Sequence, residues 1–88
     1  MEKEFEFMSK SLDAFAIEDK ICNHYGLGYA NSSSFGSIKP GVASQEIRIY
    51  GTEKRISCHV SASFIESEGM YLVTVSSPTV TNNSKRKK

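Results

Sequence analysis

The chain has 88 residues, of which 39% are hydrophobic and 24% charged, with a formal net charge of +1. A chain of this size and composition folds as one domain around one core, which excludes wholesale disorder. No apolar run approaches the ~20 residues of a membrane-spanning helix, and the acidic opening "MEKEFEF" is unlike the basic start of a secretory signal.

The charge is unevenly placed. Lys85, Arg86, Lys87 and Lys88 hold four of the eleven basic residues, leaving seven against ten acidic ones, or −3, for the rest of the chain. A fold that binds nucleic acid usually carries a basic face or stripe of its own. Here the basic cluster sits in a tail after "SSPTVTNNS", and residues 79–88 read as a disordered end to a single domain spanning 1–78. The two cysteines are too few for a cystine-stapled scaffold, so reduced thiols and a cytoplasmic location are expected.

In chain order, "EKEFEFMS" alternates Phe5 and Phe7 with Glu4 and Glu6, the period of a short half-buried strand. Ser9 or Ser11 can then cap a helix over "LDAFAIEDKICNHY", with Asp13 in its first turn and Gly26 as its stop. At about 100° per residue, Ala14, Phe15, Ile17, Ile21, Cys22 and Tyr25 share one arc, the expected buried face. Glu18 falls inside that arc, where its stem can reach water from a gap in the contact.

The segment "GLGYANSSSFGSIKPGVAS" is rich in turn formers, with Tyr29, Phe35 and Ile38 as isolated apolar points. A weak strand within residues 27–35, turning at Gly36 and again at Pro40-Gly41, avoids an implausibly long structureless loop. "SQEIRIY" then sends Ile47 and Ile49 one way and Glu46, Arg48 and Tyr50 the other, and "GTEK" turns the chain. In the next strand Ile56, Cys58, Val60, Ala62 and Phe64 alternate with Arg55, Ser57, His59, Ser61 and Ser63. "ESEG" turns again and "MYLVTVSS" returns with Tyr71, Val73 and Val75 on one face.

The fold class is therefore α+β: one amphipathic N-terminal helix packed on a three- to four-stranded antiparallel meander. Strand, helix and successive antiparallel strands is an element order similar to that of the cystatin-like group. No cystatin binding motif accompanies it, and element order alone says nothing of function.

Motifs that suggest chemistry dissolve on inspection. Cys58 and His59 are adjacent on a strand and point to opposite faces, so they form no thiolate-imidazole pair. Cys22 and His24 lie about 200° apart on the helix, the wrong spacing for one zinc ion, and His24 suits the helix end, where an imidazolium favours the dipole. "GLGYANSSSFG" follows a helix, whereas phosphate-binding glycine loops follow a strand and open a helix. Ser57, Ser61 and Ser63 have no nucleophile-elbow sequence around them. No catalytic residue, metal ligand or cofactor is assigned.

The expectation is a small non-enzymatic protein-binding or regulatory module, possibly a homodimer. Tyr29, Phe35, Tyr50 and His59 are the partner-binding candidates, because aromatics on irregular backbone or on a charge-poor sheet face make good anchors. The alternative is a nucleic-acid-associated protein that uses Lys85, Arg86, Lys87 and Lys88 for weak, nonspecific phosphate contact.

Overall fold

A computed structural model of the chain describes residues 3–82. The chain begins with strand β1, Lys3–Ser9, and helix α1 follows it at Ala14–Tyr25. Strands β2 (Ala30–Ser33), β3 (Gln45–Gly51), β4 (Lys54–Ile65) and β5 (Met70–Asn82) complete a five-stranded antiparallel sheet in the order β1-β5-β4-β3-β2. The fold is α+β, as expected, with two corrections. The sheet has five strands rather than three or four, and the helix is the second element, because β1 pairs with the long outer edge of β5. Among the described residues no helix is long and apolar enough to cross a membrane.

The alternation of β4 becomes its burial. Ile56, Cys58, Val60 and Ala62 are each 5% exposed or less, and they join Ile47 and Ile49 of β3 and Val73 and Val75 of β5 in one apolar face. Helix α1 lies on that face, adding Ile17, Ile21 and Cys22. The helix is capped by Asp13 rather than Ser9 or Ser11: its carboxylate accepts from Ala16 N at 3.2 Å. Ser9 is drawn instead into a bond with the Ser11 carbonyl at 2.6 Å, and Ser11 Oγ accepts from Asp13 N. Gly26 ends the helix in the left-handed conformation, φ 70°, which a residue without Cβ adopts freely.

Phe15 departs from the expected buried arc. It stands at the extreme edge of that arc, about 160° from Ile17, and is 83% exposed. At the helix end the imidazole of His24 stacks on Phe5 of β1 with centroids 3.7 Å apart.

Residues 28–44 contain a strand, shorter than expected, and the connection after it is tied down. Asp13 and Ser37 form a bridge, Ala14 N donates to Gly36 O and Ile38 N to Leu12 O, both at 2.9 Å. These bonds seat Ile38 in the core and leave Phe35 half-buried against it.

Strand β5 runs four residues into the segment assigned to the tail, since residues 79–82 pair with 54–57. A β-bulge makes this possible. Between the pairs His59↔Ser76 and Ser57↔Thr79 the β5 side holds one extra residue, and Ser77 takes a positive φ of 52°. Pro78 sits in the bulge, a position where its missing N–H interrupts no ladder bond. Lys85, Arg86, Lys87 and Lys88 lie outside the described residues.

Candidate functional site

The sheet has a second face, and α1 is on the other side of it. Glu46, Arg48 and Tyr50 of β3, Arg55, Ser57, His59, Ser61 and Ser63 of β4, and Thr74, Ser76, Thr79 and Thr81 of β5 all point there. None of these side chains is buried. Hydroxyl groups dominate these positions, and both arginines lie near the β3–β4 turn.

At that end Arg48, Tyr50, Arg55, Ser57, Thr79 and Thr81 line a shallow pocket of about 210 Å³. The register builds it. Tyr50 pairs with Arg55 and Arg48 with Ser57, so the two arginines are diagonal neighbours, with Cα atoms roughly 7–8 Å apart. Thr79 and Thr81 complete the floor because of the bulge. Tyr71, Val73 and Val75 point to the core, and an unbroken alternation would send residues 79 and 81 there too. The extra residue reverses the alternation, placing Val80 opposite Ile56 and the two threonines beside Ser57 and Arg55.

The backbone beneath the pocket is held firmly. Ser34 Oγ accepts from Arg48 N and Ser34 N donates to Arg48 O, each at 2.9 Å. The guanidiniums are less committed. Arg48 Nη2 lies 4.0 Å from Glu46 Oε2, a loose pair between side chains that are 58% and 57% exposed. Arg55 has no ion-pair partner among the described residues. Glu46 is further engaged by Ser57 Oγ, which donates to its Oε2 at 3.4 Å.

The four expected anchors do not come together. Tyr50 joins the pocket, and His59 stands on the same open face one pair further along, opposite Glu46 and Ser76. Its Nδ1 is buried without a hydrogen-bond partner. Tyr29 is on the helix side, 84% exposed, where it faces Phe15 across a groove of about 280 Å³ also lined by Glu18, Asp19, Cys22 and Asn23. Its backbone is fixed although its ring is free: Tyr29 N donates to Thr52 Oγ1 at 3.0 Å, and Tyr29 O accepts from Thr52 N at 2.8 Å. Phe35 turns back onto the core.

Of the pocket's side chains, sequence reasoning named Tyr50 as a candidate and missed Arg48, Arg55, Ser57, Thr79 and Thr81. For Arg48 the signal was present: a two-residue turn at Thr52-Glu53 sets Tyr50 against Arg55 and so puts both arginines on one face. For the threonines no local signal exists, since the bulge is a property of pairing.

The thiols carry no nucleophilic promise. Burial pushes Cys58 up to about 12, and Cys22 is also raised, by burial first and then by Glu18 and Asp19. Neither setting favours the thiolate. Among the described residues no group of three or more His, Cys, Asp or Glu is placed to hold a metal ion. Compared with known protein families, curated proteins and solved structures, the chain matches none.

Proposed function

We propose that this chain is a small non-enzymatic protein-binding module whose working surface is the open face of its sheet. One observation carries the reading: two loosely engaged guanidiniums converge with a phenol and three hydroxyls in a pocket on the side of the sheet that α1 leaves uncovered. On a rigid strand scaffold the backbone is already ordered before binding, and arginine and tyrosine are frequent hot spots. Two free, buried cysteines fit the reducing cytoplasm expected from the sequence.

The nucleic-acid alternative rests on the tail, Lys85–Lys88, and the rest of the chain, at −3, would repel a polyanion. The module reading is tested by placing a photo-crosslinking residue at Ser61 or Thr74 on the open face and at Lys20 on the exposed side of the helix. Cross-linking in native cell extract, read by mass, separates self-association from a second protein. The reading predicts adducts from Ser61 and Thr74 and not from Lys20; adducts confined to Lys20 would overturn it.

A further inference from the structure

The pocket specifies a chemistry more narrowly than "protein". Arg48 and Arg55 are like charges placed as diagonal neighbours on adjacent strands. Glu46 lies to one side of Arg48, 4.0 Å from its guanidinium. With them in the pocket stand Ile56 and the hydroxyls of Tyr50, Ser57, Thr79 and Thr81, each of which can donate and accept. An anion with several oxygens can take a guanidinium from two directions and hydroxyl bonds from the floor at once.

A strained residue delivers part of that floor. Ser77, at φ 52°, is the non-glycine residue with positive φ in the described chain, and the bulge it occupies is what turns Thr79 and Thr81 to the arginine side. Bulges of this kind re-aim side chains next to binding sites, and backbone strain tends to collect there.

Resting on the module reading, we infer that this pocket receives a phosphomonoester dianion presented by a protein partner, the phosphate of a phosphorylated side chain. Two cations in one pocket match the charge of roughly −1.5 to −2 that such a group carries near neutral pH. A nucleic-acid strand is the poorer fit. Its charges repeat along a line and call for a basic stripe, whereas the rows leading away from the pocket toward β1 offer Ser61, Thr74 and Glu6, then Ser63, Leu72 and Met8. A peptide segment flanking the phosphate meets hydroxyls and the apolar Leu72 and Met8 there, with no requirement for further positive charge.

The test is an NMR titration of the ¹⁵N-labelled full chain at physiological salt. The probes are a glycine-flanked phosphoserine peptide, the same peptide without phosphate, inorganic phosphate and an oligothymidylate. The expected result is saturable shifts at the Nε of Arg48 and Arg55 and at the amides of residues 48, 50, 55, 57, 79 and 81 with the phosphopeptide, and none with its unphosphorylated form. Arg48→Gln and Arg55→Gln each weaken binding by about tenfold or more, the scale of a lost charged hydrogen bond. Arg48→Lys, which keeps the charge but loses the fork, also weakens it, and Glu46→Gln tightens it by releasing Arg48. Each variant is accepted only with an unchanged thermal midpoint.

Shifts that persist in the Arg48→Gln/Arg55→Gln double variant, or no saturable shift at all, overturn the assignment. An oligothymidylate that binds more tightly than the phosphopeptide through the same arginines overturns the protein class in favour of nucleic acid. If the phosphopeptide fails while Ser61 and Thr74 still cross-link a partner, the phosphate inference falls and the module reading stands; if both fail, both fall.

Discussion

Strand β4 is one segment with two careers. On the helix side Ile56, Cys58, Val60 and Ala62 are almost completely buried. One residue away in each case, Ser57, His59, Ser61 and Ser63 stand on a face that no helix covers. The apolar face is where folding free energy is gained, since burying an aliphatic side chain contributes about 1.5–3 kcal/mol. The hydroxyl face contributes little to that, so its side chains are free to serve recognition.

The contrast is broken most directly by cutting side chains on both faces. Ile49→Ala and Ile56→Ala remove fully buried groups and are expected to cost about 2–5 kcal/mol each. Ser57→Ala and Ser61→Ala, their near neighbours in the sheet, should fall within about 0.5 kcal/mol of the parent. Urea denaturation of all four variants checks this, and a costly Ser61→Ala would mean the open face is structural after all.

The aromatics sharpen the same division on the other side of the molecule. Phe35 packs against the core and Phe15 and Tyr29 stand in water. Phe35→Ala is expected to lower stability by roughly 2–3 kcal/mol, below the 3–5 of a fully buried ring, whereas Phe15→Ala and Tyr29→Ala should change it by under about 0.5 kcal/mol. Thermal melts of the three variants decide. If Phe35→Ala leaves the midpoint in place, its ring belongs to a binding surface.

Much of this division was legible in residue order. The period of two in β4 and β5 and the stop at Gly26 are local signals, set by side-chain direction and by the backbone freedom of glycine. What escaped depends on contacts distant in sequence. Phe15 lies within the helix's apolar arc, yet the sheet beneath α1 covers Ile17 and Ile21 and stops short of it. The residues after Pro78 read as a tail, but a bulge absorbs the proline and the strand continues to Asn82. The same bulge hid Thr79 and Thr81. Of the pocket only Tyr50 was named as a candidate, although its β3–β4 part, Arg55 included, is fixed by a short turn.

Cys58 tests how dry the inner face is. Cys58→Ser places a hydroxyl among apolar neighbours and is expected to cost about 1–3 kcal/mol, and the native thiol should react slowly with a thiol reagent. Its titration also gives a sign. Below the ordinary value of 9.0 both folded and unfolded chains keep the proton; above it the unfolded chain releases the proton while the folded one holds it until about 12. Stability therefore falls as pH rises through that window. The Cys58→Ser variant, lacking the thiol, should show a shallower decline, which denaturation at successive alkaline pH values would measure.

The smallest effect is expected as a gain. Among the described residues two buried side-chain polar atoms lack a hydrogen-bond partner, His59 Nδ1 on the open side of the sheet and Tyr25 Oη on the helix side. They differ in what surrounds them. His59 is half-buried on the face where a partner can reach it, whereas Tyr25 packs against the core with its ring edge-on to Phe5, centroids 6.2 Å apart. The phenol is raised above its ordinary 10.0 by burial first, then by Cys58 and Glu4, so its ionised form is unwelcome and its neutral form unsatisfied. A buried hydroxyl without a partner forfeits its bonds to water on folding, at a cost of about 1–3 kcal/mol when fully desolvated. Tyr25→Phe keeps the ring and its contacts and removes only the oxygen. The variant is expected to equal or exceed the parent in stability, by up to about 1 kcal/mol. The difference should widen above pH 10, where the unfolded parent gains from ionising its phenol and the variant cannot. A loss of stability at neutral pH would show that Tyr25 Oη does have a hydrogen-bond partner, and would make the inner face wetter than its aliphatic lining implies.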